Sequence, residues 1–197
     1  MKLNSYLSLL LILATTFILA CGSDEQPTAV VGVEKSAKPL NPFKFYKNIE
    51  IRPGLNFEVL SWGKGADTLG GYSIFLSDSL RNNYRSIALE RKGIITDAWN
   101  MDLDTDGNPE LYIQFLRNKV ESDLVVYEFD DNDFRKISFP SLSAKTRKLY
   151  LGNDKFYVKN GSLYRSIPVK NESDTAKKTT EVMTVNYDLR GNSFLIK

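Results

Sequence analysis

Acidic residues alternate along one short stretch of the chain, and a glycine follows them. The carboxylates are Asp102, Asp104 and Asp106, Gly107 comes next, and Glu110 stands three residues beyond the glycine. Alternating side chains bring several oxygens to one point only where the backbone then turns sharply, which glycine tolerates. Carboxylate oxygens are ligands that Ca²⁺ prefers. The stretch is therefore a candidate calcium site with these four acids as its ligands.

The same residues have a second interpretation in which no metal binds. In an Asx-type turn, carboxylates accept hydrogen bonds from nearby backbone N–H groups. The stretch begins like an EF-hand loop, but Ile113 stands where the bidentate acid of that loop is expected. Its flanks at 93–99 and 111–115 are typical of strands, so we expect a turn between two strands. Both interpretations stay open, because Ca²⁺ needs about six to eight oxygens and only these four acids are evident.

Composition removes several kinds of chemistry. The 197 residues include no histidine and a single cysteine, Cys21. Histidine-based catalysis, His-ligated zinc or haem, disulfides within the chain and cysteine clusters are therefore excluded. The formal net charge is +2, from 26 basic and 24 acidic residues, which gives no reason to expect nucleic acid. A glycosidase with two carboxylates is a distant alternative, since nothing places two acids across a sugar cleft. We expect no enzymatic activity.

The N-terminal segment suggests a role for the single cysteine, Cys21. An apolar run ends in Ile18-Leu19-Ala20-Cys21. This ending resembles a bacterial lipobox, where the chain is cleaved before the cysteine and the thiol is lipidated. The alternative is a transmembrane anchor, but the run is short for a span, which needs roughly twenty residues. We therefore predict a signal peptide over 1–21, lipidation of Cys21, and an outer-membrane lipoprotein of the bacterial envelope that meets the membrane through its lipid only.

A tether is predicted over residues 22–42. This segment is rich in Ser, Asp, Glu, Pro, Ala and Lys and has no aromatic residue, so it cannot bury enough surface to fold. Its first residues, Gly22-Ser23-Asp24-Glu25, look like an acidic signal for export to the cell surface, and a solvated linker is the alternative. Periplasmic and surface-exposed locations therefore both stay open.

The remaining residues, 43–197, predict an all-β domain. β-Branched and aromatic residues dominate, and no helical apolar period extends beyond a turn or two. Asn160-Gly161 between two apolar segments is a strong hairpin signal. We expect an antiparallel β-sandwich or flattened barrel of about eight strands, with segments at 57–62, 72–76, 84–90, 93–99, 111–115, 124–129, 155–159, 162–165, 183–189 and 193–196.

Three motifs in order resemble a known family. They are residues 71–74, the Asp-x-Asp-x-Asp-Gly-x-Pro-Glu turn, and the run 154–169 with 174–176 after it. Together they are similar to the PliI-like proteins, the periplasmic inhibitors of invertebrate-type lysozyme, from about residue 43 to the end of the chain. The turn also occurs in integrin-like and propeller repeats, but those need several copies and this chain has one. The resemblance implies an antiparallel β-sandwich, often a homodimer, that inserts a loop into a lysozyme cleft without catalysis or a cofactor.

The inhibitory loop of that family carries a Ser-Gly-x-Tyr motif after the strand that follows the acidic turn. At the corresponding place this chain has Asn118 for the serine, Lys119 for the glycine and Glu121 for the tyrosine. Glu121 would face the carboxylates of the enzyme, and like charges repel. We therefore expect weak or no lysozyme inhibition. The loop remains the expected partner-binding surface, made of Arg117, Asn118, Lys119, Val120, Glu121 and Ser122.

Two classes of function follow. One is a binding protein related to lysozyme inhibitors, which meets a lysozyme, another protein or a glycan. The other is a structural envelope lipoprotein that inhibits no lysozyme. Trp62 and Trp99 bear on this choice, because an exposed tryptophan can serve as a ligand platform. Their strand contexts favour the alternative, in which both lie in the core.

Overall fold

The computed structural model describes residues 43–63, 69–130, 133–171 and 180–197. The predicted signal peptide, Cys21 and the predicted tether lie outside these residues. No helix among the described residues is long and apolar enough to cross a membrane. All of them belong to one structural unit, Asn41–Lys197.

Twelve strands follow one another along the described chain. Their bounds are β1 Phe45–Arg52, β2 Leu55–Trp62, β3 Leu69–Asp78, β4 Asn83–Lys92, β5 Ile94–Met101, β6 Glu110–Arg117, β7 Glu121–Asp130, β8 Asp133–Ile137, β9 Lys155–Lys159, β10 Ser162–Lys170, β11 Thr180–Arg190 and β12 Ser193–Ile196. One short helix, α1 Ala144–Leu149, lies between β8 and β9. Its N-terminus is capped by Ser143, whose hydroxyl accepts a hydrogen bond from the backbone N–H of Thr146 at 3.1 Å.

The strands form three antiparallel sheets of four, each a simple meander. Sheet A has the order β1-β2-β3-β4, sheet B the order β5-β6-β7-β8, and sheet C the order β12-β11-β10-β9. The prediction of an all-β, antiparallel fold is confirmed. There are more strands than the eight or so expected, they form three sheets, and no sheet closes into a barrel. The additional strands include β1 and β8, which lie at the edges of sheets A and B.

Sheet B is the middle layer, because its two faces pack against different partners. Leu111 and Ile113 of β6 belong to a core shared with sheet A, which includes Phe57 of β2. Tyr112, which lies between them in sequence, belongs to a second core shared with Leu163 of sheet C. Side chains alternate between the faces of a strand, so β6 is covered on both sides. The continuous apolar run over 111–113 follows from this double burial.

The predicted hairpin turn is confirmed. Asn160 and Gly161 have φ values of 50° and 73°, and Lys159 pairs with Ser162 across them. Two left-handed residues suit the right-handed twist of the flanking strands, which explains why this dipeptide marks a tight hairpin.

Candidate functional site

The acidic loop joins β5 to β6, two adjacent strands of the middle sheet. Met101 pairs with Glu110 at its base. Gly107 has a φ of +90°, the left-handed conformation that the sequence predicted for it, and a Cβ added there would meet no atom within 4 Å. Glycine is therefore required at this position because of its positive φ, and not because a side chain would clash with neighbouring atoms. Thr105 also has a positive φ, of 61°. Left-handed residues in so short a loop fold the acidic segment back over the start of β6.

This turn brings the four predicted ligands together. One carboxylate oxygen from each of Asp102, Asp104, Asp106 and Glu110 can be chosen so that all lie within 4.8 Å of one another. Glu110 is completely buried, Asp104 is half-buried, and the other two are exposed. Among the described residues, no lysine or arginine forms an ion pair with any of the four. The cluster is therefore a concentration of negative charge that no lysine or arginine of the described segments balances by an ion pair.

Two of the acids act as the Asx-turn interpretation expects. An Asp102 oxygen accepts a hydrogen bond from the N–H of Gly107 at 3.1 Å. Asp106 accepts one from the N–H of Asn108 at 2.8 Å and another from its side-chain amide at 3.0 Å. These contacts satisfy backbone donors within the turn, so Asp102 and Asp106 have a structural role whether or not a metal binds.

The other two acids do not fit that interpretation. Oε2 of Glu110 accepts hydrogen bonds from the N–H of Leu103 at 2.8 Å and from the hydroxyl of Tyr112 at 3.1 Å. Its second oxygen, Oε1, is buried and has no hydrogen-bond partner, and the same is true of Oδ1 of Asp104. A buried carboxylate oxygen without a partner is costly. These two oxygens are not explained by the turn alone.

The electrostatics of the cluster also favour a bound cation over a turn without a metal. Burial raises the pKa of Glu110 to about 8, against the lowering effect of its two hydrogen bonds, and the charges of Asp104 and Asp102 add to the rise. Burial also raises the pKa of Asp104, and the neighbouring charge of Asp106 adds to it. Without a metal the site therefore disfavours full ionisation of its acids. A bound cation acts in the opposite direction, because it stabilises the charged forms.

A second layer of contacts fixes the buried side of the site. The ring of Tyr112 stacks on Trp99 with centroids 5.7 Å apart and an angle of 7° between the planes. Glu128 lies opposite Glu110 on β7, is also buried, and pairs with Arg135 at 3.5 Å. When the side-chain amide of Asn192 is oriented to satisfy its neighbours, its nitrogen donates to Glu128 at 3.0 Å and its oxygen accepts from Arg135 at 2.7 Å. These contacts join the site to the β11–β12 turn of sheet C.

The expected partner-binding loop is a tight connection between β6 and β7. Arg117, Asn118 and Lys119 are exposed, and the last two have φ values of 48° and 64°. The carbonyl of Val120 accepts a hydrogen bond from the N–H of Asn153 at 2.6 Å. This hydrogen bond therefore anchors the loop to the segment that precedes β9.

Ser122, the last residue of the expected partner-binding loop, is buried and differs in this from Arg117, Asn118 and Lys119. It is only 4% exposed; its N–H donates to the Asp154 carboxylate at 3.0 Å, and its hydroxyl donates to the Asp154 backbone carbonyl at 2.6 Å. Arg165 donates to the Ser122 carbonyl at 2.9 Å and pairs with Asp154 at 2.7 Å. Ser122 thus belongs to a buried polar network that joins sheets B and C. Sequence reasoning missed this network, because its members are up to 43 residues apart and none has a local signature.

The two tryptophans differ in their surroundings. Trp99 is half-buried and packs against the second core, as predicted. Trp62 is 41% exposed at the end of β2, so its assignment to the core was wrong. Alternation along β2 explains the error. Phe57 and Val59 point inward and Trp62, an odd number of residues from each, points to the other face.

Comparison with known proteins gives little further information. No protein-family model matches this chain, and no curated protein matches it. Among solved structures, it is similar to a fucose lectin from Kordia zhangzhouensis in complex with methyl-fucoside, with a TM-score of 0.30 and 12% identity over 78% of this chain and 97% of the lectin. A TM-score this low does not establish a shared fold. The resemblance to the PliI-like proteins stays a prediction.

Proposed function

We propose that this chain is a non-catalytic, calcium-binding β-domain of an envelope lipoprotein. The observation that carries the proposal is Oε1 of Glu110, a fully buried carboxylate oxygen without a partner beside three other acids. Acidic clusters are common on protein surfaces and do not by themselves indicate a metal. A buried, unsatisfied carboxylate within such a cluster is different, because the fold bears a cost that a cation would remove.

The donor set favours Ca²⁺ over other metals. Every candidate ligand is a carboxylate oxygen, which suits hard cations and not the softer metals that prefer nitrogen or sulfur. Mg²⁺ requires a near-ideal octahedron and loses its water reluctantly, whereas Ca²⁺ accepts irregular sites with about six to eight oxygens. Asp102, Asp104, Asp106 and Glu110 would hold the ion, and bidentate carboxylates, backbone carbonyls and water would supply the remaining positions.

The proposed role of the ion is to stabilise the middle sheet. It would neutralise the carboxylates at the β5–β6 connection, and the stack of Tyr112 on Trp99 lies directly behind them. A ligand that binds only the native state raises the free energy of unfolding. The calcium would therefore act as a structural element of a binding protein and not as a catalyst.

Thermal unfolding of the full-length protein tests this proposal. We expect the midpoint to rise with millimolar Ca²⁺ and to rise less with Mg²⁺. Asp97→Asn is the matched control, because Asp97 lies on β5 and pairs with Lys47 at 2.6 Å, outside the cluster. The control should keep the calcium response and Asp104→Asn should lose it. Equal responses in both variants, or none in the unmodified protein, would overturn the proposal.

A specific observation favours a second role, protein binding by the exposed part of the β6–β7 loop. The carbonyl of Val120 and the N–H and hydroxyl of Ser122 are hydrogen-bonded to the 150–154 segment, so Asn118 and Lys119 stand on a fixed backbone. Preorganised loops lose little conformational entropy on binding. The partner would meet a basic tip. Half-buried Glu121 stands beside that tip, and for this reason we do not propose strong lysozyme inhibition.

A further inference from the structure

Trp62 is the largest exposed apolar side chain of sheet A, and three strands meet at its position. It pairs with Gly71 of β3, and Gly71 pairs with Glu90 of β4. Residues directly opposite one another in adjacent antiparallel strands lie on the same face of the sheet. Trp62, Gly71 and Glu90 therefore form a row across the outer face of sheet A, away from the core.

Gly71 allows the indole to lie flat on the sheet. A Cβ added to this glycine would lie 2.2 Å from Cζ2, 2.4 Å from Cε2 and 2.9 Å from Cη2 of Trp62. Contacts this close to three ring atoms mean that the six-membered ring covers Gly71. Any side chain at that position would displace the ring. One face of the indole is thus packed on backbone, and the tryptophan is still 41% exposed.

Beside the indole is a shallow hollow of about 730 Å³, within the size range of ligand sites. The end of β4 supplies its polar groups, Glu90, Arg91 and Lys92. Arg91 is only 3% exposed and donates to the carbonyl of Gly93 at 2.8 Å, so its position is fixed. A second hollow, between sheets A and B, shares these three residues and adds Arg117 and Lys136. Arg117 is paired with Asp123, and Arg91, Lys92 and Lys136 outnumber Glu90 around the end of β4.

We propose that the hollow beside Trp62 binds a carbohydrate, with a preference for chains that carry carboxylates. The apolar C–H face of a sugar ring can stack on the indole, whose body is apolar and whose edge is polar. Glu90 can accept hydrogen bonds from sugar hydroxyls, and Lys92 at the end of β4, with Lys136 in the neighbouring hollow, attracts acidic groups. No enzymatic step is involved. This site is separate from the calcium loop, and the proposal does not depend on that ion.

Two other ligand classes fit less well. A protein partner usually needs several apolar anchors in a buried centre, and Trp62 is the only large apolar side chain on the exposed side of this hollow's described lining. Single-stranded nucleic acid also combines stacking with basic groups. Glu90 lies next to the position that Trp62 covers, however, and its carboxylate can accept hydrogen bonds from the several hydroxyls that each sugar ring offers.

Fluorescence titration of the full-length protein tests the site, with a hyaluronan hexasaccharide as the acidic probe and chitohexaose as the neutral one. We expect binding of both, tighter binding of hyaluronan, and a change in tryptophan emission that disappears in Trp62→Phe, where Trp99 is the remaining tryptophan. Trp62→Ala should weaken both ligands by about tenfold or more. Lys136→Ala should weaken hyaluronan and leave chitohexaose unchanged.

Tyr84→Ala is the matched control. Tyr84 lies at the other end of β4 and is 56% exposed, so it is also a surface aromatic residue. Its loss should change neither affinity. The proposal is wrong if neither sugar binds at millimolar concentration, or if Trp62→Ala binds as well as the unmodified protein. It is also wrong if a single-stranded oligonucleotide of equal charge binds more tightly than hyaluronan, since the surface would then serve nucleic acid.

Discussion

The hydroxyl of Tyr112 donates a hydrogen bond to the buried carboxylate of Glu110 at 3.1 Å, two residues away on the same strand. Both side chains point toward sheet C, because residues i and i+2 of a strand share a face. The bond engages Oε2, which also accepts from Leu103. Two donors therefore bond to one carboxylate oxygen of Glu110, and its other oxygen has no hydrogen-bond partner among the described residues. This asymmetry underlies the first prediction.

Glu110→Gln should remove the response to calcium and keep the fold. The amide is nearly the same size and carries no charge, so it avoids the burial of a carboxylate close to Asp104. In calcium-free buffer we expect the free energy of unfolding to stay the same or to rise by about 1 kcal/mol. Urea unfolding with and without Ca²⁺ measures both effects. A variant that is less stable without calcium, yet still stabilised by it, would contradict this account of Glu110.

Gly107→Val should destabilise the protein by about 1–3 kcal/mol, because a β-branched residue resists a positive φ. The space around the glycine is open, so a steric clash with neighbours does not contribute. Gly107→Asn is the control, since asparagine tolerates left-handed conformations better, and its loss should be smaller. Equal denaturation midpoints for valine and glycine would mean that the turn does not depend on this conformation.

Asp154→Ala should be among the most damaging single substitutions, with a loss of about 3–5 kcal/mol. It leaves the side chain of Arg165, 5% exposed, without its carboxylate, and it removes the side-chain acceptor of the Ser122 N–H and of the Tyr150 hydroxyl. The Ser122 hydroxyl donates to the Asp154 backbone carbonyl, which alanine keeps. Asp97→Ala is the comparison. Its pair with Lys47 is 40–51% exposed, and such pairs contribute about 1 kcal/mol or less. Chemical denaturation of the two variants should differ clearly, and similar losses would show that the buried network is not a major source of stability.

Lysozyme inhibition should be weak or absent. The tip of the β6–β7 loop presents Asn118 and Lys119, and the backbone behind them is fixed, so the loop cannot easily rearrange to fit a cleft. Lysis assays with invertebrate, chicken and goose lysozymes measure this directly. Nanomolar inhibition that Lys119→Ala abolishes would contradict the prediction of weak inhibition and support the loop as the binding surface. Nanomolar inhibition that the variant leaves unchanged would place the binding surface elsewhere.

Local features of the sequence predicted much of this molecule. Asn160-Gly161 and the acidic turn have their own conformational signatures, and the alternation around Phe57 and Val59 marks a strand with one buried face. The stacking of three sheets was not predictable in this way, because alternation shows that a face is covered but not by what. The apolar run at 111–113 did carry a signal, since a strand covered on both faces loses its alternation.

The surfaces were harder to predict than the strands. The packing of the Trp62 indole on the outer face of sheet A depends on Gly71, which is nine residues later and meets it only through the pairing of β2 with β3. The burial of Ser122 depends on Asp154, 32 residues later and just before β9 of sheet C. The cluster of acids was predictable because its members are within nine residues of one another. The unpartnered oxygen of Glu110 was not, because it depends on tertiary burial.

Isothermal titration calorimetry of the full-length protein with CaCl₂ tests the calcium site most directly. The account predicts a saturable heat with one ion per chain, which Glu110→Gln abolishes and Asp97→Asn preserves. The absence of heat at millimolar Ca²⁺, or an unchanged heat in Glu110→Gln, would contradict it. The four acids would then form an Asx-type turn without a metal.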